Sequence, residues 1–520
     1  MAISGIINTN VNALNTLNAL GSTSSSLSTY IQQLSTGKQI NGPADNPAGY
    51  AISQRFQTQI NGLNQAVSNG NQGVSLVQTA TGALQNETNL LQQIRTIAVQ
   101  SANGSNTSAD RQSLQGVVSQ LLAQVQTIST QTQFNGQNIL DGSFSGQQFQ
   151  VGANANQIIN VSIANSQSTA IGLNTVAVSG AAGAATAYQA SGAVTNNGYG
   201  LAYTMTSGTG ATAPTAGSFN TAGFNISGSV GSASINVTST AESAASIAAA
   251  VNAQTEKTGV SATANTSIAF STGTTLTAGT TAAVSFVIGN GETTQNITAN
   301  VTQGASGTDW SGLVSQINNS TAQTGITATV DNSGNLALTQ GQGKNITIEN
   351  FTSNTAITLN GINGAGAAGT AAVQLAATTT GPGNSALIQG FVQMQSTQGY
   401  AVGSSNSIGL AATSNLVSAS TVNVSTVQGA NAAISIIDNA INTLNQQGGA
   451  LGAIQNRIQA SVQNSQTTAT NLQAAQSVVQ DANIAQATTQ LSKYQILQQA
   501  GISTLAQANS LQQSYLKLLP

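Results

Sequence analysis

Few side chains in this sequence could perform chemistry. Its 520 residues include 12 acidic and 9 basic side chains, no histidine and no cysteine. The chain therefore lacks the usual general base near neutral pH, the commonest metal ligand, disulfides and thiol nucleophiles. The carboxylates form no tight cluster, and the adjacent Asp110 and Arg111 are interpreted as a helix-start charge beside a surface arginine. We expect no catalytic site, no cofactor and no metal.

The composition excludes several classes of partner. Charged residues make up 4% of the chain, against roughly a quarter in an ordinary soluble domain. A net charge of −3 without a basic block disfavours nucleic acid and anionic membranes. No run of about 18 apolar residues exists, so no membrane insertion is expected. The opening "MAISGIINTNVNALNT" lacks the basic and apolar regions of a secretory signal, and we expect export without a cleaved signal peptide.

The elements that would position any functional residue are helical at both ends. The prolines, Pro43, Pro47, Pro214, Pro382 and Pro520, leave residues 48–213 and 383–519 free for long helices. Apolar residues recur at threes and fours in three early stretches, which begin at Ile3, Leu27 and Ile52. The Ile52 stretch continues through Phe56, Ile60, Leu63 and Val67.

Turn signals divide the helical front part. "STGKQINGPADNPAGY" (35–50) predicts a break, and "NGSNTSADRQ" (103–112) predicts a turn in which Ser108 caps the next helix. The alternating stretch "QQFQVGANANQIINVSIA" (147–164) predicts a β-hairpin. Helical spacing returns after 430, for example at Ile434, Ile437, Ile441 and Leu444.

The middle, residues 176–400, has a different character. It is rich in Gly, Thr and Ala, with β-branched runs such as "AAVSFVIG" and "NITIENF", which predict strands in one or two small domains. A flexible linker is the alternative, and the β-branched runs argue against it. "SIAAAVNAQTEKTGVSATA" (246–264) matches "GLVSQINNSTAQTGITATV" (312–330), and each predicts a helix, a Thr-Gly turn and a strand. The match indicates a duplicated module.

Both ends of the sequence resemble bacterial flagellin. The front part carries "LSTGKQINGPADNPAGYAISQRF", "LLQQIRTIAVQSANGSNTSADRQSLQ" and "TQFNGQNILDG". The back part carries "LGAIQNRIQASVQN", "VVQDANIAQATTQLSKYQILQQAGISTLAQAN" and the terminal "LKLL". The repeated middle unit resembles a motif inserted in many flagellins and hook proteins.

The resemblance implies an α+β multidomain fold. Helices from both termini form an antiparallel coiled-coil core, and a β-rich central insertion projects outward. The implied divisions are core helices at 1–45 and 481–520, an α-helical spoke domain at 46–175 and 401–480, and a variable outer region at 176–400 that holds the repeat.

The resemblance also implies a structural subunit that polymerises into the flagellar filament for swimming motility. Its partners would be further copies of itself, the type III flagellar export apparatus, a chaperone, and hook-associated and cap proteins, outside the cell. A hook–filament junction protein and a β-rich surface adhesin are the alternatives. The residues expected to pack between subunits are Ile3, Ile7, Val11, Leu14, Leu17, Leu491, Tyr494, Leu497, Leu505, Leu511, Tyr515 and Leu518.

One patch departs from the family pattern. In flagellins that the animal innate flagellin receptor recognises, charged anchors stand at the positions of Gln93, Thr96 and Val117, and a leucine stands at that of Ile97. Arg95 is retained. The resemblance therefore implies that this patch is largely lost.

Overall fold

A computed structural model describes residues 9–175, 205–209, 224–236, 243–272, 279–304, 307–330, 334–354, 356–362, 368–375, 384–388, 390–404 and 412–516. In this part of the chain, the predicted α+β arrangement of helical ends around a β-rich insertion is confirmed. The helices are α1 (Val11–Thr36), α2 (Pro47–Ala102), α3 (Ser108–Gln131), α4 (Ala244–Asn252), α5 (Thr255–Thr258), α6 (Ser311–Asn319), α7 (Thr321–Thr324), α8 (Val427–Gln480) and α9 (Ile484–Leu516).

The strands lie mainly between α3 and α8. They are β1 (Gln133–Phe134), β2 (Gln137–Asn138), β3 (Gln147–Gln150), β4 (Ile158–Val161), β5 (Gly172–Thr175), β6 (Met205–Thr209), β7 (Phe224–Ser227), β8 (Ser232–Ile235), β9 (Ser261–Thr272), β10 (Thr281–Gly289), β11 (Thr294–Gly304), β12 (Gly307–Asp309), β13 (Ile326–Val330), β14 (Leu336–Gln340), β15 (Ile346–Ser353), β16 (Ile357–Ile362), β17 (Ala368–Leu375), β18 (Asn384–Ile388), β19 (Phe391–Gln395), β20 (Ala401–Ser404), β21 (Ala412–Thr413) and β22 (Asn415–Ser418).

The described chain forms two compact units. One comprises residues 1–78, 146–162 and 452–520, and the other comprises 79–145 and 163–451. The long helices α2 and α8 therefore contribute one part to each unit. The domain limits implied by the family resemblance stay a prediction.

In the first unit, two helix breaks lie side by side. α1 ends at Gly37, whose φ of 68° is in the left-handed region that glycine adopts without strain. α2 begins at Pro47, where no backbone donor is needed. The Gln39 amide donates to the Gln480 carbonyl at 2.7 Å, and the Ala482 amide donates to the Gly37 carbonyl at 2.9 Å. The break between α1 and α2 is thus tied to the break between α8 and α9.

The predicted hairpin is confirmed as β3 paired antiparallel with β4. A Cβ on Gly73 of α2 would lie 3.2 Å from the Phe149 ring and 3.3 Å from the Ile458 side chain of α8. The Ser465 hydroxyl of α8 donates to the Val151 carbonyl at 3.0 Å. The hairpin is therefore seated against both long helices, and Gly73 leaves the room it needs.

The cap predicted for α3 is off by one residue. Thr107, not Ser108, is the N-cap: its hydroxyl accepts from the Asp110 amide, and the Asp110 carboxylate accepts from the Thr107 amide at 2.9 Å. This reciprocal capping box satisfies two helix-start donors. Ser108 is the first residue of the helix itself.

Two further details of the helical patterns are wrong. Arg111 is not a surface residue, because it is buried where the 101–106 turn folds over the start of α3. Ile52 does not begin the buried stripe of α2; it is 42% exposed, and Ser53 occupies the buried position instead. The stripe itself is present, with the buried apolar residues Ile60, Leu63, Ala66, Leu76, Val77, Ala80, Leu84, Leu91, Ile94 and Ala98.

The two matching segments of the middle region make matching hydrogen bonds, which support the predicted duplication. Asn252 clamps Ala262 through both its amide oxygen and its amide nitrogen, at 2.7 and 2.8 Å. Asn318 clamps Ala328 in the same way at 2.8 and 2.9 Å. Each copy then turns through a left-handed glycine, Gly259 or Gly325. The two segments adopt one local fold.

The second copy is nested inside the first. In the second, β10 pairs with β11, β13 pairs with β14, and β15 returns to β10. In the first, β7 pairs with β8, the start of β9 pairs with β19, and β20 returns to β7. The chain between β9 and β19 contains the whole of the second copy.

Each copy has its own core. The first is built on Ile247 and Val251 of α4 with strand residues such as Ile226 and Val402. The second surrounds Trp310 and adds side chains from β16, β17 and β18. β9 links the copies, because its second half pairs with β14 and β16.

Candidate assembly surface

The terminal helices α1 and α9 pack antiparallel within the first unit. The rings of Tyr30 and Tyr494 stack with their centroids 5.4 Å apart. The Asn10 side-chain amide donates to the Ala508 carbonyl at 3.2 Å. Between these contacts, Leu20 lies against Gly501, where a Cβ would be 3.1 Å from the Leu20 side chain. These contacts span most of α1 and the middle part of α9.

This pairing leaves much apolar surface uncovered. No residue of α1 is buried, although the helix contains 26 residues. Leu14 and Leu17 are 52% and 55% exposed, and Ile496 of α9 is 65% exposed. Other exposed large apolar residues of the two helices are Val11, Ile31, Ile484, Leu497, Ile502 and Leu511. Apolar side chains at this density on a helix pair indicate surfaces that another protein covers.

The residues predicted to pack between subunits fall into two groups. Leu491, Tyr494 and Leu505 are half-buried, so the structure places them partly against the chain's own helices. Val11, Leu14, Leu17, Leu497 and Leu511 are exposed. Ile3, Ile7 and Leu518, with the side chain of Tyr515, lie outside the described residues.

Sequence reasoning missed Ile31, Ile484, Ile496 and Ile502, which are exposed in the same helices. Ile31 follows Leu27 at the same helical spacing as the chosen residues, so the signal was present. It also missed Tyr30, the stacking partner of Tyr494. A tyrosine in each helix at corresponding antiparallel positions could have indicated that contact.

The electrostatics of the surface are nearly neutral. α1 has no charged side chain, and α9 has only Lys493, whose Nζ lies 5.8 Å from the Tyr494 ring centroid. Hydroxyl groups donate to carbonyls of their own helix, as Thr23 does to Ala19 at 2.8 Å and Thr488 does to Ile484 at 2.7 Å. They can therefore be covered without losing their hydrogen bonds. None of the described helices is both long and apolar enough to cross a membrane.

The residues of the departing patch lie on α2 and α3 in the second unit. Gln93, Thr96 and Val117 are exposed, and Ile97 is half-buried. Arg95 is bound to Asp438 of α8, with its Nε 2.5 Å from the carboxylate. The Asp438 hydrogen bond and charge raise the pKa of Arg95, so the guanidinium stays charged and engaged.

Family models and curated relatives agree on one family. The chain matches the model of the bacterial flagellin N-terminal helical region at residues 7–145 and that of the C-terminal helical region at 434–519. The flagellin hook IN motif matches residues 284–342, which include the second copy of the repeat. B-type flagellin of Pseudomonas aeruginosa is 37% identical, and flagellin of Salmonella muenchen is 31% identical, each over 99% of both chains. Among solved structures, FliC from Burkholderia pseudomallei is 22% identical with a TM-score of 0.29, covering 74% of this chain and 99% of that one.

Proposed function

Since the chain belongs to the bacterial flagellin family, we propose that its function as a subunit of the flagellar filament rests on the exposed faces of α1 and α9. The observation that carries this proposal is the uncharged, partly apolar surface of that helix pair. Full burial of a leucine stabilises by about 1.5–3 kcal/mol. Repetition of such contacts at every subunit would drive polymerisation.

The scarcity of charge on these helices has a physical reason in this proposal. A charged side chain buried between subunits would have to shed its hydration, which is unfavourable without a partner. Asn, Gln, Ser and Thr lose less, because amides and hydroxyls can bond to backbone or to each other. The composition of α1 and α9 is therefore suited to covered helices rather than to a solvated surface.

The predicted packing residues belong to this proposal. Val11, Leu14, Leu17, Leu497 and Leu511 would contact neighbouring subunits, and Ile31, Ile496 and Ile502 join them on their exposure. Tyr494 would hold α9 against α1 through its stack with Tyr30. Ile3, Ile7, Tyr515 and Leu518 are proposed on sequence spacing alone.

Family membership supports further proposals about the location and the other partners. The filament stands outside the cell, and we propose that the chain passes through the flagellar export apparatus with a chaperone. In the filament it would meet hook-associated proteins at one end and a cap at the other.

Polymerisation tests the assembly surface directly. We expect the double substitution Leu14→Ser, Leu17→Ser to raise the critical concentration at least about tenfold, since the lost burial exceeds 1.4 kcal/mol. Val230→Ser is the control, because Val230 is 66% exposed on the β7–β8 turn and belongs to the second unit. Sedimentation and negative-stain microscopy give the readout. Unchanged polymerisation of the double variant would exclude α1 as a contact surface.

Recognition by the animal innate flagellin receptor is proposed to be weak. Gln93 and Thr96 carry no charge, and Arg95 is engaged by Asp438. We expect Gln93→Arg with Thr96→Glu to strengthen receptor activation by about tenfold in reporter cells, since two charged anchors are supplied. Gln147→Glu with Gln148→Arg, on exposed β3, is the control, because it adds the same two charges outside the patch. Strong activation by the unmodified chain would contradict the proposal.

A further inference from the structure

A carboxyl group lies buried in the helical part of the second unit. Glu87 of α2 is 0% exposed. Its Oε1 accepts a hydrogen bond from the Ser166 hydroxyl at 3.1 Å. Its Oε2 is also buried and has no hydrogen-bond partner among the described residues. A fully ionised carboxylate with one oxygen unsatisfied would be strongly unfavourable there.

A second buried oxygen without a partner belongs to Gln447 of α8. Its Oε1 is inaccessible and unpaired among the described residues. The amide nitrogen of the same side chain donates to the Asn165 carbonyl at 3.5 Å. Because Asn165 and Ser166 are consecutive, Glu87 and Gln447 both bind the same short segment between β4 and β5.

The helix register places the two side chains at one level. The ion pair between Arg95 and Asp438 fixes which parts of α2 and α8 face each other in this unit. Glu87 lies eight residues before Arg95, and Gln447 lies nine residues after Asp438. In antiparallel helices these are steps of about 12 and 13.5 Å in the same direction at 1.5 Å per residue. Two oxygens that are both acceptors satisfy each other only if one carries a proton.

We propose that Glu87 is protonated in the folded chain and donates its proton to Gln447 Oε1, forming a pH-sensitive clasp between α2, α8 and the 165–166 segment. The clasp satisfies both orphan oxygens with one hydrogen. It is independent of the assembly surface, since all its residues lie in the second unit.

The electrostatic surroundings support a neutral carboxyl. Burial raises the pKa of Glu87 to about 8, and the Ser166 hydrogen bond lowers it in part. Arg95 and Asp438, two turns away on the flanking helices, bind each other. Asp141, beside the Leu140 carbonyl that Ser166 also contacts, is held by Ser143 and Asn138. The charged residues of α3, Asp110 and Arg111, stand in its first turn.

The clasp predicts how stability depends on pH. Between the ordinary glutamate pKa of 4.5 and the folded value of about 8, the folded chain holds a proton that the unfolded chain has released. The unfolding constant should therefore rise about tenfold per pH unit over this range and level off above it. The stabilisation that protonated Glu87 contributes to the folded chain is fully present below pH 4.5. With no histidine or cysteine in the chain, few other groups obscure the effect.

Denaturant unfolding of the full-length monomer, followed by circular dichroism from pH 5.5 to 8.5, tests the clasp. We expect the steep pH dependence in the unmodified chain and its loss in Glu87→Gln. Asp141→Asn is the matched control, because its carboxylate lies on the neighbouring segment and hydrogen bonds from Ser143 and Asn138 lower its pKa, so it stays ionised over this range. The Asp141→Asn variant should keep the full pH dependence of the free energy of unfolding. An equal slope in Glu87→Gln and the unmodified chain would overturn the proposal.

Infrared spectroscopy identifies the proton itself, even where a variant folds poorly. The unmodified chain should show a protonated carboxyl band at pH 6.5 that disappears with a midpoint near pH 8. Gln447→Leu should shift that band to higher frequency, since the acceptor is removed. Absence of the band at pH 6.5 would overturn the protonated state, and an unshifted band in Gln447→Leu would overturn the bond to Gln447. Neither experiment depends on whether the chain assembles into filaments.

Discussion

Arg111 is a buried charged residue whose side chain binds backbone carbonyls rather than a carboxylate. Its guanidinium is buried and donates to the Ser101 carbonyl and the Asn103 carbonyl, each at 2.9 Å. The Ser101 carbonyl lies in the last turn of α2, and the Asn103 carbonyl lies at the start of the turn that leads to α3. The planar fork of arginine reaches two such acceptors at once, which lysine cannot reproduce. Arg111 therefore fixes the angle at which α2 gives way to α3.

We expect Arg111→Ala to lower the free energy of unfolding by about 2 kcal/mol, because the buried Ser101 carbonyl and the Asn103 carbonyl lose charge-assisted hydrogen bonds. Arg111→Lys should recover only part of the loss. Arg457→Ala, which removes an exposed arginine of α8, should change stability little. Thermal and denaturant unfolding give the values. If Arg111→Ala and Arg457→Ala were equivalent, the clamp would have no energetic role.

Sequence reasoning stops at such residues for an identifiable reason. Asp110 was correctly placed at a helix start, because a capping pattern is local. The burial of Arg111 depends on carbonyls of the preceding turn, and that of Glu87 depends on packing of α2 against segments far along the chain. Helical spacing states which face a residue occupies but not what covers that face.

The duplicated asparagine clamps are the clearest device at the level of elements. Each side-chain amide replaces a strand partner for one alanine, so it joins the end of a helix to the start of a strand. The sequence match alone indicated the duplication, since both copies preserve the asparagine and the Thr-Gly turn. Repeated local hydrogen bonds explain why so short a motif was informative.

Asn318→Ala should destabilise the second copy by about 2 kcal/mol, because a buried amide and a carbonyl lose their partners together. Trp310, the single tryptophan of the chain, is 2% exposed in that core and reports its unfolding by fluorescence. Asn252→Ala should have a similar effect on the first copy, read by hydrogen exchange at 261–265. Asn300→Ala, on the exposed face of β11, is the control. A value for Asn318→Ala as small as the control would refute the equivalence.

The nesting of one copy in the other could not be predicted. The start of β9 pairs with β19, although the whole second copy lies between these two strands in the sequence. The sequence of neither strand indicates its pairing partner, because alternation of apolar residues predicts that a segment is a strand but not which strand lies beside it. The hairpin β3–β4 was predictable for the opposite reason, since its strands are joined by a short loop.

The entry and exit strands of the outer region suggest how to remove it. β5 pairs antiparallel with β22, and Thr175 lies opposite Asn415. Replacing residues 176–414 with Asn-Gly should close this pair as a tight hairpin. We expect the shortened chain to form filaments, because the proposed contacts lie in α1 and α9. A folded shortened chain that stayed monomeric by sedimentation would show that the outer region is required.

At the scale of the whole molecule, the scarcity of charge links composition to pH response. In residues 1–175 and 410–520 the acidic side chains are Asp45, Glu87, Asp110, Asp141, Asp438 and Asp481. Hydrogen bonds from Thr107 lower the pKa of Asp110, and those from Ser143 lower the pKa of Asp141. A carboxylate whose folded pKa is depressed contributes stability above its ordinary pKa and loses it only as the pH falls below that value. Glu87 loses nothing on acidification, since burial already favours its protonated form.

Filaments of this chain should therefore persist in mild acid and shorten only near the ordinary aspartate pKa of about 4. Filament length by electron microscopy, with sedimentation, across a titration from pH 7 to about 3 measures this. Asn15→Asp supplies a control of opposite sign, because Asn15 is exposed on α1 beside Leu14. Its added carboxylate must shed water on assembly, so that variant should polymerise poorly at pH 7 and recover in acid as the group is neutralised. Depolymerisation of the unmodified filament well above pH 4 would instead show that one of its few carboxylates bridges subunits. Replacing each aspartate in turn by asparagine would then identify the one responsible.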